Sequence, residues 1–79
     1  MIEFYVTIEL LDESSDSSFK TELTRNNIII KNIYEENGSI QHYTLQGDWN
    51  GYRHISSLII PSKEEGSKYL IHSLEHFEE

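Results

Sequence analysis

The sequence predicts an α+β fold: a five-stranded antiparallel sheet, its second to fifth strands a meander, with one C-terminal helix packed on one face. Three observations carry this. Residues 2–10, IEFYVTIEL, alternate strictly between apolar and polar, the period of a half-buried strand. Three pairs, Asn26-Asn27, Asn37-Gly38 and Asn50-Gly51, punctuate the middle of the chain, and Asn and Gly accept the positive φ of two-residue hairpin turns. After Pro61 the apolar residues adopt helical spacing.

The elements follow in order. The first strand places Ile2, Phe4, Val6, Ile8 and Leu10 on one face and Glu3, Tyr5, Thr7 and Glu9 on the other. DESSDSS, residues 12–18, has no apolar residue and is expected to be a flexible, solvated loop. FKTEL, residues 19–23, fits either a short helix or a strand; pairing decides for the strand. With Asn26-Asn27 as a turn, Leu23 meets Ile30, Phe19 meets Tyr34 and Glu22 meets Lys31, pairs worth roughly 0.2–1 kcal/mol each. With Asn37-Gly38 as the next turn, Tyr34 meets Gln41, Asn32 meets Tyr43 and Ile30 meets Leu45. Asn50-Gly51 then closes a third hairpin, pairing Trp49 with Tyr52 and Asp48 with Arg53. The final helix spans about 63–77: Ser62 and Glu65 suit a capping box, and Leu70, Ile71, Leu74 and Phe77 form its apolar stripe. The whole of 1–79 reads as a single domain.

Composition narrows the function classes. The 79 residues carry a net charge of -8 and no cysteine. Disulfides and thiolate metal sites are excluded. Direct nucleic-acid binding is disfavoured, because acidic surfaces repel phosphates. No apolar run approaches the ~20 residues of a membrane span, and the N-terminal segment lacks a basic n-region. A cytoplasmic protein is therefore expected, in its own cell or in an infected host.

The predicted sheet has one helix and two faces. On the uncovered face the registers give the rows Ile33–His42–Ile59, Lys31–Thr44–Ser57 and Ile29–Gln46–Ile55, with Ile40 near Glu35. Ile29, Ile33, His42, Ile55 and Ile59 are thus candidates for a partner or dimer interface, unless the sheet curls and covers that face itself. A second candidate surface is acidic: Glu35, Glu36, Glu64, Glu75 and Glu78. Spaced carboxylates on a small domain imitate a phosphate backbone and suit a basic protein groove.

Catalytic signals are thin. HSLEH, residues 72–76, resembles the H-x-x-E-H pattern of the inverted zincin metalloproteases. On a helix it would set His72 and His76 on one side. A zinc enzyme needs a third protein ligand, which that family supplies far downstream, and only three residues follow His76. Ser56, Ser57, His54 and Asp48 lack a nucleophile elbow, and the chain has no phosphate-binding Gly-rich loop. No enzyme activity, metal or cofactor is expected.

The expectation is a small acidic protein-binding module that inhibits a target with a basic, nucleic-acid-binding surface. Small acidic cysteine-free proteins of phages and mobile elements, acting against restriction or CRISPR systems, are of this type. The alternatives are a toxin-neutralising immunity or antitoxin protein and a homodimeric accessory domain.

Overall fold

The computed structural model describes residues 1–77. Its element order is β1 (Ile2–Leu10), α1 (Ser15–Arg25), β2 (Ile29–Glu36), β3 (Ile40–Gly47), α2 (Trp49–Ser57), α3 (Ile59–Ser62) and β4 (Tyr69–Phe77). The fold is α+β, as expected, but the sheet has four strands in the order β2-β3-β1-β4, all neighbours antiparallel. Both β1 and β2 run antiparallel to β3, so they are parallel to each other, and α1 makes the crossover between them. A second crossover, through α2 and α3, links β3 to β4. This is the split β-α-β, or ferredoxin-like, topology. It corrects the five-stranded meander with a C-terminal helix: two of the expected strands are helices, and the expected helix is a strand.

β1 is as expected. Ile2, Phe4, Val6 and Ile8 are buried, and the residues between them are half-buried. Where a loop was expected over 12–18, a helix begins at Ser15. Asp12 Oδ1 accepts from the Ser14 backbone N–H at 2.8 Å and from its hydroxyl at 2.7 Å, an Asx turn that opens the helix. These hydrogen bonds hold the Asp12 carboxyl below the usual carboxylate range. Ser15 is fully buried; its Oγ accepts from the Asp12 N–H at 2.9 Å and donates to the Lys68 carbonyl. That hydroxyl ties the start of α1 to the chain entering β4. Ser15→Ala should therefore lower stability by about 0.5–1.5 kcal/mol, the ordinary net worth of the hydrogen bonds this hydroxyl makes between the two segments. A urea midpoint unchanged from the parent would refute the tie.

α1 buries Phe19 and Leu23. A spacing of four satisfies a helical period and a strand period alike, so these two residues alone do not choose between helix and strand. The Asn26-Asn27 pair does have a residue at positive φ, Asn27 at 57°, but it ends a helix instead of turning a hairpin. The Ile28 N–H donates to the Leu23 carbonyl at 2.9 Å and the Asn27 N–H to that of Thr24 at 3.1 Å. This is the Schellman pattern, and buried Leu23 and Ile28 supply the apolar pair that usually accompanies it.

The Asn37-Gly38 hairpin is real, with both residues at positive φ. Its loop takes three residues, 37–39, not two. The odd length would flip every following side chain, but the register slips again between Ile30 and Asn32. Lys31 is the extra residue of a β-bulge. The pair Ile30–Leu45 is therefore as expected, while Tyr34 faces His42 instead of Gln41, and Asn32 faces Thr44 instead of Tyr43.

Asn50-Gly51 does not turn a hairpin. It lies in the first turn of α2, where Asp48 is the N-cap and its carboxylate accepts from the Gly51 N–H at 2.8 Å. Trp49 and Tyr52 do touch, edge to face at 5.6 Å, as helical neighbours three apart. α2 buries Gly51 and Ile55. Ser62 ends α3 instead of starting a helix: it is buried, and its Oγ donates to the Ile59 carbonyl at 2.7 Å and accepts from the Ile71 N–H at 3.1 Å.

All three helices lie against one face of the sheet. The core joins Ile2, Phe4, Val6, Ile8, Tyr43, Leu45 and Ile71 from the strands with Phe19, Leu23, Ile28 and Ile55. Phe19 is held edge to face between Tyr43 at 5.1 Å and Tyr69 at 5.0 Å. Burial raises the pKa of both tyrosines; beside Tyr43 the carboxylate of Asp16 adds to the effect. The opposite face of the sheet carries no element of the described chain.

Candidate docking face

The registers define what the uncovered face presents. Read from β2 through β3 and β1 to β4, its rows are Glu36–Ile40–Glu9–Leu70, Tyr34–His42–Thr7–Ser73, Asn32–Thr44–Tyr5–Glu75 and Ile29–Gln46–Glu3–Phe77. Two bulge residues join them. Lys31 reaches Glu3 Oε2 at 3.3 Å, and His72, the extra residue of β4, puts Nε2 at 2.9 Å from Glu9 Oε1. Among the described residues the face thus carries Glu3, Glu9, Glu36 and Glu75 against a single lysine, with His42 beside Glu36 and His72 beside Glu9.

Aromatic rings lie among these charges. Tyr34 is 54% exposed and stacks on His42 at a ring separation of 5.7 Å. Phe77, 61% exposed, meets Tyr5 edge to face at 5.5 Å. The Tyr5 hydroxyl donates to Glu3, and with Lys31 it lowers the Glu3 pKa; Glu3 in turn raises that of Tyr5. His42 is fixed between Thr7 Oγ1 at 3.0 Å and Glu36 Oε2 at 3.3 Å. Thr7 lies on a central strand, opposite both His42 and Ser73, and the row of hydroxyl, imidazole and carboxylate holds the His42 ring beside Tyr34.

The residues expected to form the second sheet face are dispersed. Ile29 and His42 do lie on the open face. Ile33 sits on the helix side of β2, opposite Tyr43 and partly exposed at the edge. Ile55 is fully buried in α2, and Ile59 packs against the core from α3. The last two are fold residues, because the strand expected to carry them is helical. The acidic set also divides. Glu36 and Glu75 are on the open face. Glu35 points to the helix side and accepts from Gln41 Nε2 at 3.1 Å. Glu64 lies in the turn after α3, exposed. Glu78 lies outside the described residues.

His72 and His76 are separated as well. The bulge leaves His72 on the open face beside Glu9, while His76 is on the helix side, edge to face with Trp49 at 5.1 Å and Tyr52 at 5.0 Å. The helical pairing of the two histidines is thereby overturned. Among the described residues no group of three or more His, Cys, Asp or Glu is placed to hold a metal ion, and no helix is long and apolar enough to cross a membrane.

Residues that sequence reasoning missed are Tyr5, Tyr34 and Phe77, with Glu3 and Glu9. The alternation of β1 already placed Glu3, Tyr5 and Glu9 together on a polar face. Tyr34 was hidden by the bulge, and Phe77 by the helical reading of β4. The fold and this face define an α+β protein with one bare, acidic and aromatic sheet surface. Comparisons with protein-family models, with curated proteins and with solved structures each give no significant match.

Proposed function

We propose that this chain is a non-enzymatic protein-binding module whose open sheet face docks on the basic surface of a target protein. The observation that carries the reading is the bare face with four carboxylates, one lysine and exposed aromatic rings. The net charge of -8 points the same way. Where the target's basic surface is its nucleic-acid groove, the module acts as an inhibitor by occupying it, in the manner of phage or mobile-element anti-defence proteins. The carboxylates steer the encounter, and the rings supply apolar area within the contact.

A photo-cross-linking residue at Tyr34, compared with one at exposed Ser56 on α2, tests the reading. Cross-links to a basic protein are expected from Tyr34 and not from Ser56. They should fall with added salt, since screening beyond ~8 Å at physiological strength removes the steering. Glu36→Lys with Glu75→Lys should slow association while leaving the melting curve unchanged, and the cross-linked target should lose its nucleic-acid binding when the chain is added. Cross-links from Ser56 alone, or a complex indifferent to salt and to both reversals, would overturn the proposal.

A further inference from the structure

We infer that the open face reads arginine in preference to lysine. The inference rests on the docking reading above and names the side chain that the face receives. Two places on the face combine a flat ring with a carboxylate. At one, Tyr34 leans one ring face on His42 and stays 54% exposed, with Glu36 two residues along the same strand. At the other, exposed Phe77 stands edge to face on Tyr5, with Glu75 directly opposite Tyr5. The rings of Tyr34 and Tyr5 are two strands and one row apart, a distance on the order of 12 Å from sheet spacings.

A guanidinium is planar. It stacks on an aromatic face while its fork of N–H donors reaches a neighbouring carboxylate, and it sheds water more readily than an ammonium. A lysine ammonium is also drawn to a ring face, but as a compact, strongly hydrated point charge it cannot stack on the ring and fork onto the carboxylate at once. The chain's own Lys31 already supplies such a charge at Glu3, and His42 Nε2 lies 3.3 Å from one oxygen of Glu36, which leaves the second oxygen of Glu36 and the carboxylate of Glu75 for a partner.

Charge decides against the other occupants. A second copy would set carboxylates against carboxylates. Rings on a four-stranded sheet are also how some proteins stack RNA bases, but four carboxylates and one lysine repel a phosphate backbone. The occupant is therefore an arginine-bearing protein segment.

The experiment is a fluorescence titration of the full chain with two labelled peptides of equal length and charge. One carries arginines spaced by Gly and Ser; the other carries lysines at the same positions. The arginine peptide is expected to bind roughly three- to tenfold more tightly. Tyr34→Leu with Phe77→Leu should weaken the arginine peptide to near the level of the lysine peptide and weaken the lysine peptide much less; a thermal melt shows that this variant folds. Equal affinity for the two peptides would overturn the arginine reading and leave docking on basic surfaces standing. No binding of either peptide to the folded chain would overturn both. Binding of a single-stranded oligonucleotide at the same face, competing with the peptides, would also overturn both.

Discussion

Phe19→Ala should cost about 3–5 kcal/mol of folding stability, a large part of the roughly 5–15 kcal/mol that holds a typical domain together. Phe19 is fully buried and touches two aromatic rings, Tyr43 of β3 and Tyr69 of β4. Truncation opens a void between α1 and strands on both sides of β1, where neither ring has room to collapse without moving its strand. A companion substitution separates the helix from the strand that the sequence suggested. In a strand, Thr21 would share a face with Phe19 and Leu23, and Thr21→Asp would bury a charge. In α1 it is exposed, and the change should stay within about 0.5 kcal/mol. Urea unfolding of both variants is the measurement. A Thr21→Asp loss comparable to that of Phe19→Ala would restore the strand.

The sequence was legible where one period held without interruption. β1 has nine residues in clean alternation, which sets its core face and its polar face alike. Legibility failed at bulges. In β4 the extra residue, His72, separates the core-facing Ile71 and Leu74 by three positions instead of two. A strand with a bulge then reproduces the spacing of a helix, and Leu70, Ile71, Leu74 and Phe77 read as a stripe. The bulge at Lys31 did the same to Ile30 and Ile33, and turned Tyr34 to the opposite face. A one-residue insertion costs little locally but inverts every downstream assignment.

Caps and turns were the second source of error, because they use the same residues. Asn26-Asn27 supplies a positive φ to a helix C-terminus, and Asp48 captures the first turn of α2 before Asn50-Gly51 can act as a hairpin. The long-range contacts that decide these cases are invisible in a local window. Ser15 bonding to Lys68 and Ser62 bonding to Ile71 are made only when β4 enters the sheet beside β1. The candidate face inherits this history. Its β1 contribution was legible, its β2 and β4 contributions were not, and the isoleucines assigned to it were largely drawn into the core or its margins.

Gly51→Val is the substitution on which the two readings of Asn50-Gly51 differ most in cause. A hairpin turn would favour glycine for its positive φ and resist a β-branched residue. Gly51 has no such φ; among the described glycines, Gly38 and Gly66 do. What it needs is space: a Cβ built there would stand 2.9 Å from Ile28 Cγ1 and 3.3 Å from its Cδ1, and Ile28 is itself buried against the core. α2 can lie this close to the end of α1 only without a side chain at that point. Gly51→Val should therefore cost about 1–3 kcal/mol by overpacking, with the added burden of a branched residue in a helix. Gly51→Asn separates the explanations, since a type I′ turn tolerates Asn whereas a crowded helix contact does not. Coupling to Ile28 supplies the second test. Ile28→Ala removes the obstructing atoms, so the double variant with Gly51→Val should be more stable than the sum of the two single losses predicts, by roughly 0.5–3 kcal/mol. Strict additivity, together with a harmless Gly51→Asn, would return these residues to a turn and take α2 away from the face of the sheet it covers.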